Sequence, residues 1–120
     1  KQGDWNGAGM HTNFSTKWMR GGMDETHTGL DEINEKINLL RYKHDEHILV
    51  YGTDNEQRLT GKHETCDINT FRDGISDRGA SIRIPWQVVR DKCGYLEDRR
   101  PSANADPYMV SWRLIKTICI

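Results

Sequence analysis

The sequence predicts an α+β fold, an antiparallel sheet backed by helices. Three observations carry that reading. Apolar residues recur at steps of three and four over residues 29–51. Apolar and polar residues alternate at 81–85, and an extended pattern returns at 95–100. An Asp-Pro pair at 106–107 then opens a mostly apolar run to residue 120. The chain has 120 residues, a length that holds at most one domain.

Taken in order, residues 3–23 are rich in glycine (Gly3, Gly7, Gly9, Gly21, Gly22), which permits close backbone approach. Residues 11–16, His-Thr-Asn-Phe-Ser-Thr, are β-prone and predict a strand. The clearest helix spans 29–51. Leu30, Ile33, Ile37, Leu40, His44, Ile48 and Tyr51 line one side, Asp31, Glu32, Glu35 and Lys36 fill the other, and Gly52 is the stop signal. Residues 52–57 form a polar turn, and from residue 58 short strands and loops take over. In Ser81-Ile82-Arg83-Ile84-Pro85 the side-chain period of two sends Ile82 and Ile84 to a core and Arg83 the other way. In the second strand Tyr95, Glu97 and Arg99 share one face, and Leu96, Asp98 and Arg100 share the opposite one, before Pro101 ends it. The last helix covers 107–120, with Tyr108, Val110, Trp112, Leu114, Ile115 and Ile118 as its apolar residues.

Composition narrows the function classes. Seventeen basic residues against eighteen acidic ones give a net charge of −1, which argues against a nucleic-acid partner. Leu, Ile, Val and Phe make up 23 of 120 residues, or 19%, the lower edge for a self-sufficient core. The expectation is a folded piece that completes its core against something else. No run reaches the roughly 20 apolar residues of a membrane span, and the start lacks a signal-peptide core, so no membrane partner is expected. There is no initiator Met, a dense motif opens at Gly3, and an apolar run reaches Ile120, so the chain reads as cut from a longer one. Cys66, Cys93 and Cys119 form no C-x-x-C pair, which points to a reducing, cytoplasmic setting without a zinc or disulfide framework.

Seven of the ten arginines lie between residues 58 and 100. Arg is planar and bidentate, matched to phosphate and carboxylate oxygens. Arg83 is the most informative, because its flanking aliphatics anchor it on a sheet face. It fits an anion site, or the commoner solvated face with ion pairs to Asp73, Asp77 or Asp98. Glu97 and Arg99 on one strand face fit a cation and the anion bridged to it, or a simple ion pair. His11, after the Gly7-Ala8-Gly9 run, fits a metal ligand or an ordinary hydrogen-bonded residue. His44 and His47 read as surface or packing histidines. Glu64, beside His63 in a polar loop, fits a proton acceptor on a lid or a plain loop charge. No G-x-x-x-x-G-K-[ST] or G-x-S-x-G motif occurs, which removes a P-loop and a nucleophile elbow. A Cys66 nucleophile has little support.

Four ordered stretches resemble glutamine synthetase of the eukaryotic type. Gly3 to Lys17 (GDWNGAGMHTNFSTK) resembles that family's segment bearing a metal-binding His. Asn55 to Thr65 (NEQRLTGKHET) is similar to its substrate loop and flap. Arg78 to Pro85 (RGASIRIP) resembles its nucleotide-phosphate strand, and Gly94 to Tyr108 (GYLEDRRPSANADPY) its closing active-site strand. The region resembled is only the C-terminal third or so of such an enzyme, the C-terminal part of its catalytic domain.

The resemblance implies ATP-dependent ligation of glutamate and ammonia to glutamine through a γ-glutamyl phosphate, with Mg2+ or Mn2+ as cofactor. It implies that His11 and Glu97 ligate the catalytic metals, and that Asp4 and Trp5 line the glutamate pocket. Arg58 and Arg99 would hold the carboxylates of glutamate. Asn13, Phe14, Ser15 and Tyr95 would border the nucleotide, and Arg78 and Arg83 would bind ATP phosphates and the transferring phosphoryl group. Glu64 would close the site and accept a proton from ammonium. The family's N-terminal β-grasp domain and remaining metal-ligand carboxylates fall upstream of Lys1, so these 120 residues alone are expected to be inactive. The implied assembly is a homo-oligomer of two stacked rings, a decamer, with active sites between subunits. Trp86 stands where the family usually has Arg, and Asp77 where it commonly has Asn. Trp86 leaves open a glutamine-synthetase-like protein with a structural or assembly role. A guanidino-kinase-like phosphotransferase ranks last, because it needs a different loop from Arg58 to Glu64.

Overall fold

Four strands of only three residues each carry the sheet of this computed structural model, which describes residues 9–52, 59 and 67–119. The elements run β1 (Thr12–Phe14), α1 (Lys17–Gly21), α2 (Gly29–Tyr42), α3 (His44–Ile48), β2 (Asp73–Ile75), β3 (Ile82–Ile84), α4 (Trp86–Asp91), β4 (Leu96–Asp98) and α5 (Pro107–Cys119). The α+β class is as the sequence predicts. The strand order is β1-β4-β3-β2.

The sheet is mixed, which corrects the expectation of an antiparallel one. β1–β4 and β4–β3 are antiparallel, whereas β2 runs parallel to β3. Parallel neighbours need a return crossover, ordinarily a long one. Here the strand to be retraced is about 10 Å long at roughly 3.3 Å per residue, so residues 76–81 suffice. Ser76 turns the chain at φ 52°, and the Asp77 carboxylate accepts from the Gly79 amide at 2.8 Å to hold the return.

Helix α2 begins with a capping box. The Thr28 hydroxyl accepts from the Asp31 amide, and the Asp31 carboxylate accepts from the Thr28 amide. Its buried side, Ile33, Ile37 and Leu40, follows the predicted spacing. The predicted single helix over 29–51 is broken at Lys43, whose backbone (φ −104°, ψ 19°) leaves the helical region. Neither glycine nor proline marks the break. α3 is anchored instead by polar partners that only the tertiary fold supplies. Asp106 starts α5 as expected, its carboxylate accepting from the Tyr108 amide at 2.9 Å. Val110, Leu114 and Ile118 of α5 join the α2 residues, Ile82, Ile84, Leu96 and Val88 in one core on one face of the sheet. Gly94 leads into β4 at φ 142°, and a Cβ there would stand 2.9 Å from Val88 Cγ2, so only glycine fits.

The core face also holds charge. Asp98 and Arg100 are fully buried, with side-chain exposures of 0% and 1%. Arg100 donates Nε to Asp98 Oδ1 at 2.9 Å and Nη2 to Oδ2 at 2.8 Å, and its guanidinium lies over the rings of Tyr51 and Phe71. Burial by itself favours a neutral Asp98. The adjacent guanidinium and the Tyr51 hydroxyl outweigh it and hold the carboxyl below its ordinary value.

His44 and His47, expected as surface or packing residues, are both buried and hydrogen-bonded here. The bonds fix every proton between them. Arg100 Nη1 only donates, so His44 Nδ1 accepts at 2.8 Å and His44 Nε2 donates to the Ile68 carbonyl at 2.8 Å. Tyr51 donates to Asp98 Oδ2 at 2.7 Å, so it accepts from His47 Nδ1 at 2.6 Å. His47 Nε2 therefore accepts from the Thr117 hydroxyl at 2.7 Å. Burial lowers the pKa of both imidazoles, that of His47 to about 3.

Two predictions follow from this network. Asp98→Ala strands Arg100 without its counter-ion and should cost about 3–5 kcal/mol in urea unfolding. Stability should also fall as pH drops below 6.5. The unfolded chain protonates its histidines near 6.5, whereas the folded chain keeps His47 neutral down to about 3, so the unfolded state binds more protons in that window. His47 alone contributes a slope of about 1.4 kcal/mol per pH unit there, and His47→Gln should flatten the pH profile of the unfolding free energy, read from urea titrations, by that amount. His27, whose pKa is raised by its bond to Glu32, acts above 6.5 and leaves this window unchanged.

Candidate functional site

The other face of the sheet gathers the residues singled out for chemistry. Strand pairing sets Asn13 opposite Glu97, Glu97 opposite Arg83, and Arg83 opposite Gly74, so the four form one row across β1, β4, β3 and β2. Arg99, two residues past Glu97, rises on the same side. His11 comes in from the chain just before β1.

Glu97 is the hub. Its Oε1 accepts from Arg99 Nη1 at 3.1 Å and faces Arg83 Nη1 at 3.6 Å. Its Oε2 faces His11 Nδ1 at 3.8 Å. Two guanidiniums surround one carboxylate, so the cluster carries a surplus positive charge even with His11 neutral. Arg83 has a further signature. Its Nε is buried and, among the described residues, has no hydrogen-bond acceptor. A buried donor left unmatched is costly, and a bound anion would satisfy it.

The alternative partners expected for Arg83 are engaged elsewhere. Asp98 lies on the core face with Arg100, Asp73 pairs with Arg41 at 2.5 Å, and Asp77 pairs with Arg72 at 3.0 Å. The partner of Arg83 is Glu97 instead.

Other expected residues sit apart from this hub. Phe14 points to the core face, opposite Leu96, and packs against the core. The Ser15 hydroxyl donates to the Gly94 carbonyl at 2.6 Å. Tyr95 is half-buried against the core, and Arg78 is exposed in the β2–β3 loop. Asp4, Trp5, Arg58 and Glu64 lie outside the described residues. Trp86 is the first residue of α4, separated from the Arg83 strand by Pro85, and is 61% exposed.

Sequence reading passed over two groups. One is the buried Asp98–Arg100–His44 network. The alternation put Asp98 and Arg100 opposite Glu97 and Arg99, and a charged pair on an apolar face was the available signal. The other joins His27, Glu32 and Glu35, whose ligand atoms lie within 4.8 Å of one another. Glu32 and Glu35 stand one helical turn apart, but the loop histidine that meets them carries no motif.

No family model matches the chain. It is 58% identical over 118 residues to the chloroplastic glutamine synthetase of Chlamydomonas reinhardtii, covering 98% of this chain and 30% of that protein. It is 57% identical over 122 residues to the glutamine synthetase of Panulirus argus, covering 98% and 32%. It is 56% identical over 116 residues to glutamine synthetase cytosolic isozyme 1-5 of Arabidopsis thaliana, covering 97% and 31%. The chain thus spans about three-tenths of the length of these relatives. Over that span, the chain belongs to the glutamine synthetases of eukaryotic type.

Proposed function

We propose that this chain forms the C-terminal part of a catalytic domain that ligates glutamate and ammonia at the expense of ATP. The observation that carries the reading is the meeting of His11, Arg83 and Arg99 at Glu97, on one sheet face and with surplus positive charge. The remaining metal carboxylates and the N-terminal β-grasp domain would come from the rest of the protein. The working form would be a homo-oligomer of stacked rings, a decamer with sites between subunits, in the cytoplasm.

The donor set suits the divalent ion the family implies. An imidazole nitrogen and a carboxylate oxygen are ligands for Mn2+, and carboxylate oxygen is the preferred ligand of Mg2+. His11 and Glu97 would hold such ions, which when bound neutralise phosphate charge. The chain's own residues would do the rest. Arg83 and Arg78 would grip the phosphates of ATP. Arg83, with its unmatched Nε, would follow the phosphoryl group as its charge spreads in transfer to the γ-carboxylate of glutamate. Arg99 and Arg58 would hold the carboxylates of glutamate beside Asp4 and Trp5. Asn13, Phe14, Ser15 and Tyr95 would border the nucleotide. Glu64 would take a proton from ammonium, and its loop would keep water from the acyl phosphate before ammonia displaces phosphate.

A second reading is a glutamine-synthetase-like protein with a structural or assembly role. Trp86 favours it, an exposed indole just past the Arg83 strand where the family usually has Arg.

Phosphate release by the full-length protein separates the two readings. Release that requires ATP, glutamate and ammonium together is expected, and its absence in a folded, assembled protein would favour the structural role. Arg83→Ala should lower kcat by about 100-fold, the loss usual for one donor to a transition-state charge. Its urea midpoint should move little. Equal losses in both would make Arg83 a structural residue.

A further inference from the structure

We infer that His27, Glu32 and Glu35 form a divalent-cation site, separate from the Glu97 cluster, that takes Zn2+ or a similar first-row ion. No residue is shared between the two groups. His27 Nε2 lies 2.9 Å from Glu32 Oε2 and 3.4 Å from Glu35 Oε2, and all three ligand atoms fall within 4.8 Å of one another. Ligands about 2.0–2.1 Å from a tetrahedral zinc are about 3.3 Å apart, a value that the two imidazole–carboxylate distances bracket.

The scaffold is rigid on both sides. The Asp24 carboxylate accepts from the Thr26 and His27 amides, and the Met23 amide donates to the His27 carbonyl at 3.0 Å, so the turn that presents the imidazole is locked. Glu32 and Glu35 rise from the first turns of α2, beyond its capping box. Glu32 is almost wholly buried and Glu35 is exposed, which gives one fixed ligand and an open side for entry and for water in the fourth position. Lys36 pairs with Glu32 Oε1 at 3.2 Å, leaving Oε2 to the site. With a neutral imidazole, the two carboxylates and Lys36 sum to one negative charge, which offsets the positive end of the helix.

Without an ion His27 Nε2 and Glu32 Oε2 are hydrogen-bonded, and the two carboxylates raise the pKa of the imidazole, so a proton competes with the metal for this nitrogen. The test uses the full-length protein in excess Mg2+, which fills sites of oxygen ligands, titrated with Zn2+ by calorimetry and soaked as crystals for anomalous scattering at the zinc edge. The expected result is one additional ion per chain, with a peak about 2.0–2.1 Å from His27 Nε2. His27→Ala and Glu35→Gln should each weaken that ion more than about tenfold, the loss of a ligand exceeding that of an outer-shell partner. Lys36→Gln, which removes a competing cation, should tighten it. Should His27→Ala misfold, the exposed Glu35→Gln carries the same test. Equal zinc stoichiometry and affinity in wild type and Glu35→Gln, or no peak at His27, would overturn the inference.

Discussion

A carboxylate and a guanidinium sealed from water set the terms for the rest of the molecule. Removing both ions from solvent is costly, and the cost is met only because Asp98 and Arg100 satisfy each other along two hydrogen bonds while Tyr51, His44 and Phe71 close around them. β4 holds one member, and the chain just past it holds the other. Fixing this pair fixes the rotation of the strand about its own axis. Glu97 and Arg99 are then presented on the opposite side, in register with Arg83 and Asn13. The interior network and the outward cluster are two sides of one strand.

The division of labour extends to the histidines. His44 and His47 serve as neutral hydrogen-bond relays inside the protein, each with its tautomer dictated by a neighbour that can only donate or has already donated. His11 and His27 stand nearer the surface, beside carboxylates. The same side chain thus stabilises the interior by staying uncharged and meets acids at the edge.

Much of this was legible in the residues. Ile82 and Ile84 around Arg83 gave the strand and the direction of its arginine, and the order Tyr95 to Arg100 gave both faces of the next one. The Asp-Pro pair gave the start of α5. The parallel β2–β3 pairing was hidden, because the chain turns at a left-handed Ser76, a residue type that does not announce a positive φ, and Gly79 within the six-residue return does not by itself tell a parallel crossover from a hairpin. The break at Lys43 was hidden for a related reason. Periodicity continues through it, and the partners that hold α3, Ile68, Arg100 and Thr117, are distant in sequence. The hub role of Glu97 was half legible. Its face was clear, but its contact with Arg83 rather than an aspartate required strand register.

The run Glu97-Asp98-Arg99-Arg100 reads acid, acid, base, base. Sliding this strand by one residue would bury Tyr95, Glu97 and Arg99 where Leu96, Asp98 and Arg100 belong, a substitute set of nearly the same chemistry. Only one extra methylene in the acid, an oversized ring and an exposed leucine separate the impostor from the true arrangement. Correct folding of this segment is therefore a matter of fine steric discrimination between look-alike alignments.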